Sequence, residues 1–251
     1  MAENFLEGRT AVVTGATRGI GFAIARSLAD AGASVAICGR SPEGVDEAVR
    51  RLTNESRRKV VGKAADVRAS TDVAALFQWV DSEKGGLDIL INNAGVGLMK
   101  STAELTVEDW RQTIETNLSG AFYCSREALA RMQKRGGGYI VNVGSLAGKS
   151  AFKGGAAYNA SKFGLNGFTE AMMLDHRYDD VRVTHIMPGS VDTDFSGNSE
   201  TASSGWTRSD WKRSEWKIAP EDIGEIVLML LRMPERTLVS QVEVRPAKPR
   251  K

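Results

Sequence analysis

Short apolar runs alternate along this chain with longer stretches in which apolar residues recur at helical spacing. Thr10–Thr14, Ser34–Cys38, Lys59–Ala64, Leu87–Ile91, Tyr139–Val143, Val181–Ile186 and Leu238–Val244 read as strands. Ile20–Ala31, Pro42–Ser56, Thr71–Lys84, Leu105–Lys134, Ala156–Tyr178 and Pro220–Leu231 read as helices, with Pro42 suited to a first helical position and Leu105–Lys134 long enough to be two pieces. Strand–helix alternation at this spacing predicts an α/β fold, a doubly wound parallel sheet with helices on both faces. In such sheets ligands bind beyond the carboxyl ends of the strands, so the loops that follow strands carry the information. The 251 residues suit one domain spanning 1–251. One segment breaks the rhythm: Asp194–Lys217 has little apolar content between a strand and a helix.

Composition narrows the partners. A net charge of +2 provides no basic field of the size nucleic acid requires. The local exception, Arg245, Lys248, Arg250 and Lys251 interleaved with Pro246 and Pro249, reads as a solvated basic tail over 245–251. Cys38 and Cys124 lie in apolar runs and read as buried free thiols, which points to a reducing compartment. With two histidines in the chain, and neither near a cysteine, no metal site is expected. Met1–Arg9 lacks the apolar run of a secretory signal, and no stretch reaches the ~18 apolar residues of a membrane span. The expectation is a cytoplasmic protein acting on neither membrane nor nucleic acid.

The loop after the first strand reads Thr14-Gly15-Ala16-Thr17-Arg18-Gly19-Ile20-Gly21 and opens the first helix. Gly15 permits a tight turn with positive φ. Gly19 and Gly21 permit close approach of backbone to a pyrophosphate and of helix to strand, and the helix N-terminus offers free N–H groups to phosphate. A glycine loop alone is a weak signal; at this place in a Rossmann-type alternation it is a nucleotide site. A dinucleotide with a free ribose 2′-hydroxyl calls for an acid about 20 residues further on. Here the second strand ends Cys38-Gly39-Arg40-Ser41, without a carboxylate. Arg40, joined by Arg18 from the loop, suits a 2′-phosphate, so the reading is NADP(H) rather than NAD. The bland alternative is two surface arginines.

A second constellation is Ser145, at the carboxyl end of a strand, with Tyr158 and Lys162 one helical turn apart on one face. A free tyrosine titrates near ~10; a neighbouring ammonium is expected to lower that value and fit the phenol to exchange a proton with a carbonyl or alcohol oxygen. Ser145 is placed to hydrogen-bond the same oxygen. An exposed Tyr–Lys pair is usually helix surface; the strand carrying Ser145 and the glycine loop make chance a poor explanation here.

Together Thr14–Gly21, Asp66-Val67, Asn92-Asn93-Ala94-Gly95, Asn117, Ser145, Tyr158, Lys162 and Pro188-Gly189 make the chain resemble the short-chain dehydrogenase/reductase family over nearly its full length. The resemblance implies that Asp66 and Val67 flank the adenine and that Asn93 and Gly95 line the cofactor's ribose. It implies that Asn117 bends a helix and holds a water in a proton relay with Lys162, and that Val191 and Thr193, after Pro188-Gly189, contact the nicotinamide amide. It also implies a homodimer or homotetramer built on the Leu105–Lys134 and Ala156–Tyr178 helices; the second of these is apolar around much of its circumference. The chain departs from many relatives in ending Val242-Glu243-Val244-Arg245-Pro246 rather than in a glycine-rich segment.

The expected activity is interconversion of a small-molecule ketone and secondary alcohol, with a 3-oxoacyl thioester reductase as one subtype. The alternatives are an NAD-dependent alcohol dehydrogenase and a non-catalytic nucleotide-binding regulator. Asp194–Lys217, with Trp206, Trp211 and Trp216, is expected to be a substrate loop or lid. Its bases Arg208, Lys212, Arg213 and Lys217 suit an anionic substrate about as well as a solvated stretch.

Overall fold

In the computed structural model the described residues are 4–56, 58–193, 195 and 216–248. They form one seven-stranded sheet of β1 (Thr10–Thr14), β2 (Ser34–Gly39), β3 (Val61–Ala64), β4 (Ile89–Asn92), β5 (Gly138–Val143), β6 (Val181–Pro188) and β7 (Gln241–Val244). The order is β3-β2-β1-β4-β5-β6-β7, and every pairing is parallel. The chain enters at the centre, winds outward to β3, then returns to pair β4 with β1. The carboxyl ends of β1 and β4 are therefore the point where the winding reverses and a crevice opens.

Helices α1 (Gly19–Asp30), α2 (Pro42–Ser56) and α7 (Pro220–Arg232) cover one face. Helices α3 (Ser70–Lys84), α5 (Gly120–Lys134) and α6 (Ala156–His176) cover the other. The two-residue period of the strands divides their side chains between two cores. Val13, Ile37, Ile91 and Val141 pack under Leu28, Leu52 and Val227, whereas Val12, Ala36, Leu90 and Ile140 pack under Phe77, Met132 and Met172. Strands buried on both faces read as near-continuous apolar runs, which is why they were legible as such.

Several boundaries move. β3 begins at Val61 because pairing with β2 starts at Ala36 opposite Val61. β7 begins at Gln241 because ladder pairing with β6 starts at His185 opposite Gln241. The long Leu105–Lys134 stretch opens with a capping box, in which Thr106 and Asp109 satisfy each other's backbone N–H groups, and enters α4 (Val107–Ile114). A π-helical turn at Glu115–Ser119 then joins α4 to α5. The extra residue of such a turn is often found at functional sites, and this one holds Asn117. Cys38 and Cys124 are free and buried; burial pushes the Cys38 thiol up to about 12, so it stays protonated and inert. Among the described residues no helix is long and apolar enough to cross a membrane, and no cluster of potential metal ligands occurs.

Candidate active site

Side chains tie the loops after β1 and β4 together at the floor of the crevice. Thr14 Oγ1 accepts the N–H groups of Asn93 (3.0 Å) and Ala94 (3.1 Å) and donates to the Ile91 carbonyl (3.3 Å). Asn93 Nδ2 donates to the carbonyls of Thr14 and Gly15, both at 3.0 Å. Gly15 has φ 62°, and a Cβ there would lie 2.7 Å from the Ala94 Cα. A side chain at Gly21 would collide with Asn93 Nδ2. Thr14 was not marked as a site residue by the sequence; its partners are 77 to 80 positions away.

α1 starts with no side-chain cap and no acid in its first turn. Its first N–H groups thus face the loop without an internal acceptor, the arrangement that binds an anion. From there a cavity of about 790 Å³ runs along the carboxyl ends of the strands. Gly15, Thr17, Arg18, Gly19 and Ile20 line it at the loop, and Arg40, Asp66 and Val67 at one extremity. Asn93, Gly95, Pro188, Gly189, Val191 and Thr193 lie along its length, and Ser145, Tyr158 and Lys162 at the other extremity. Two expected site residues are off the wall: Gly21 sits buried beneath the loop, and Asn117 is buried behind it.

The nucleotide extremity is open and charged. Arg18 and Arg40 are exposed. Asp66 is paired with Arg68, whose Nη2 and Nε donate to Oδ2 at 2.6 and 2.9 Å. That hydrogen bonding, with help from the Arg40 charge, holds the Asp66 carboxyl below its ordinary range. Arg68 is a second residue the sequence did not single out, since an arginine two positions past an acid has no pattern of its own.

The Tyr158 extremity is built of buried side chains. Ser145 caps the short turn Leu146–Gly148, its Oγ accepting from Ala147 N at 3.1 Å. Tyr158 and Lys162 are both buried, at 8% and 4% exposure. Lys162 Nζ donates to the Val143 carbonyl at 3.1 Å, and burial draws its pKa down to about 8. Tyr158 differs from the expectation of a phenol lowered by its lysine. Burial raises its pKa, and the nearby Ser145 hydroxyl lowers it in part. The Lys162 ammonium lies 5.8 Å from the centroid of the Tyr158 ring and is turned to Val143.

Asn117 reaches this centre through intermediaries. Its Oδ1 accepts from Val96 N (2.8 Å), and its Nδ2 donates to the Val96 carbonyl (2.9 Å) and to Ser161 Oγ (3.0 Å). Ser161 in turn donates to the Tyr158 carbonyl at 2.7 Å. Both amide hydrogens are therefore engaged within the protein, and the side chain braces the β4 loop against the first turns of α6. Of the segment Asp194–Lys217, only Phe195, Trp216 and Lys217 are described. Trp206 and Trp211 lie outside the described residues, as do the bases Arg208, Lys212 and Arg213.

The family model for short chain dehydrogenases matches residues 9–204. An uncharacterized oxidoreductase of Staphylococcus saprophyticus is 33% identical over 241 residues, 96% of this chain and 98% of the relative. A ketoacyl reductase of Streptomyces coelicolor, described there as putative, is 39% identical over 189 residues, 74% of this chain and 72% of the relative. The solved structure of a variant of actinorhodin polyketide ketoreductase with NADPH superposes with a TM-score of 0.85 at 33% identity, covering 98% of both chains. The chain belongs to the short-chain dehydrogenase family and is an oxidoreductase of that family.

Proposed function

We propose that the protein reduces a ketone to a secondary alcohol with NADPH, in an equilibrium it also catalyses in reverse. The observation that carries this reading is a buried Tyr158 that shares one end of a cavity with Ser145 and Lys162, while the other end is an uncapped helix N-terminus with two arginines. The NADPH seen in the ketoreductase structure supports the choice of cofactor.

The residues present fit that cofactor. Gly15, Thr17, Gly19 and Ile20 would hold the pyrophosphate with the N–H groups of α1. Arg18 and Arg40 would pair with the 2′-phosphate. Asp66 and Val67 would flank the adenine, Asn93, Gly95 and Lys162 the riboses, and Pro188, Gly189, Val191 and Thr193 the nicotinamide. Bound there, NADPH supplies a hydride, two electrons with one hydrogen, to the carbonyl carbon. Tyr158 donates its phenolic proton to the carbonyl oxygen as charge develops, and Ser145 hydrogen-bonds that oxygen. A phenol held neutral suits the donor role. Lys162, protonated below about pH 8, keeps a positive charge behind the phenol as it ionises. Asn117 and Gly21 act by position: one braces the helix of Tyr158, the other lets α1 reach Asn93.

The same reading includes a homodimer or homotetramer across α5 and α6, whose Phe122 and Phe163 are 44% and 46% exposed. It places the protein in the cytoplasm, in keeping with two free thiols. A 3-oxoacyl thioester is one carbonyl class compatible with the ketoacyl reductase relative. The test is NADPH against NADH binding by fluorescence titration, followed by a carbonyl panel read by NADPH consumption. Tighter binding of NADH overturns the cofactor, and a panel without turnover overturns the reaction.

A further inference from the structure

Any carbonyl oxygen that reaches the Tyr158 hydroxyl must carry the rest of its molecule past what stands beside that ring. Two phenyl rings stand there. The Phe195 centroid lies 5.8 Å from that of Tyr158, tilted by 57°, and the Phe152 centroid lies 6.4 Å away, tilted by 52°. Both rings are 40% or more exposed, so each keeps a free face.

Their seats are specific. A Cβ at Gly97 would lie 2.6 Å from Phe195 Cε1 and 3.2 Å from Met99 Cε. A Cβ at Gly155 would lie 2.6 and 2.7 Å from two atoms of the Phe152 ring. Each ring thus rests on a glycine of a different loop, and the loops are joined by a β-bridge between Lys100 and Gly155. Asn159 Nδ2 holds the Phe152 carbonyl at 3.2 Å, which fixes the backbone that carries the ring. Nearby lysines are balanced or solvated: Lys100 pairs with Asp109 at 2.8 Å, Lys149 with Glu243 at 2.6 Å, and Lys153 lies in open solvent, where its charge is screened.

We propose that Phe195, which lines the cavity, and Phe152, packed on the same tyrosine ring, form an aromatic slot beside Tyr158 that selects an apolar ketone with a flat aryl or alicyclic body. This rests on the reductase reading above and names its substrate class. A flat ring sliding between or against the two phenyl faces gains stacked and edge contacts as well as burial. A flexible acyl thioester gains less from such walls, and Lys100 and Lys149 are already paired with carboxylates.

The experiment compares 1-tetralone, 2-butanone and acetoacetyl-CoA with wild type, Phe152→Ala, Phe195→Ala and the double variant, each with NADPH. Wild type is expected to give a kcat/KM for 1-tetralone at least tenfold above that for either comparator. Each single variant should raise the KM for 1-tetralone about five- to twentyfold, with the tetralone-to-butanone preference falling at least fivefold. Saturation-transfer NMR of 1-tetralone is run in parallel and does not depend on turnover. If no ketone is reduced but 1-tetralone binds wild type and not the double variant, the slot stands and the reductase reading falls. A preference for acetoacetyl-CoA, or a tetralone-to-butanone ratio that both truncations leave intact, overturns the slot.

Discussion

At the end of the cavity proposed for the nucleotide most of the groups on offer are main-chain, glycines at φ 62° and 57° and an uncapped helix start, joined by the exposed side chains of Arg18 and Arg40. At the end proposed for the chemistry they are buried side chains, Tyr158, Lys162 and Asn117, with the pKa of the first raised and that of the second lowered by burial. The contrast follows from what each end has to do. A pyrophosphate is bound by many weak donors of fixed geometry, which backbone supplies without a titratable group. A proton transfer needs one group of adjustable pKa, and desolvation is the strongest means of adjusting it.

The contrast can be broken, and the hardest test is Tyr158→Phe. It removes one oxygen and keeps the ring packing with Phe152 and Phe195. Turnover is expected to fall by about a thousandfold or more while the NADPH Kd changes less than about threefold. Retained turnover, by NADPH consumption, would remove Tyr158 as the acid. Next comes Gly15→Ala, where the added Cβ meets backbone that cannot give way. Here NADPH affinity should drop by about tenfold or more and the protein lose about 1–3 kcal/mol, read by titration and thermal melting. If binding survives, the nucleotide end is not the backbone site described.

A pH profile sharpens the other end. Burial lowers the Lys162 pKa to about 8 in the cofactor-free protein, so kcat/KM for NADPH, which reports that form, should fall as pH rises above about 8. A flat profile to pH 9.5 would dissociate the lysine from the reaction. Arg40→Asp is expected to weaken NADPH by about tenfold and leave NADH within about twofold, because the charge acts on the 2′-phosphate alone and from solvent.

The smallest effect belongs to His185, on β6 behind this end. It is buried at 1% exposure, and its pKa is drawn down to about 4 by burial and by Lys162 and Lys149. Between that value and about 6.5 the unfolded chain binds a proton that the folded chain refuses. Stability is therefore lost as pH falls below about 6.5, by about 2 kcal/mol from this group at about pH 5, or roughly 4–8 °C in Tm. In His185→Gln that part of the pH dependence should vanish; an unchanged pH–Tm curve would show that other groups carry it.

How much of this was legible in the chain depends on the range of the signal. Alternating apolar runs disclosed a parallel sheet because strands buried on both faces must be apolar throughout. The glycine loop, the arginine after β2 and the Tyr–Lys pair were legible because each is a local pattern of a few residues. Strand ends were not: β3 and β7 begin where a neighbour pairs with them. Thr14 as the stitch between β1 and β4, Arg68 on Asp66, and the bracing of Val96 and Ser161 by Asn117 leave no local signature. They join residues brought together only by the winding of the sheet, or by a pairing the pattern did not flag.

By itself, then, the sequence determined the fold class, the family resemblance and a set of candidate residues that the fold gathers around one cavity, because periodicity and contiguous motifs survive without coordinates. Only the tertiary structure decided their protonation and their surroundings. Burial, a property of the packed chain, raises the pKa of Tyr158 where its lysine suggested a lowered phenol. Phe152 and Phe195, remote from each other in the chain, become neighbours of that same ring once two glycines let them close over it.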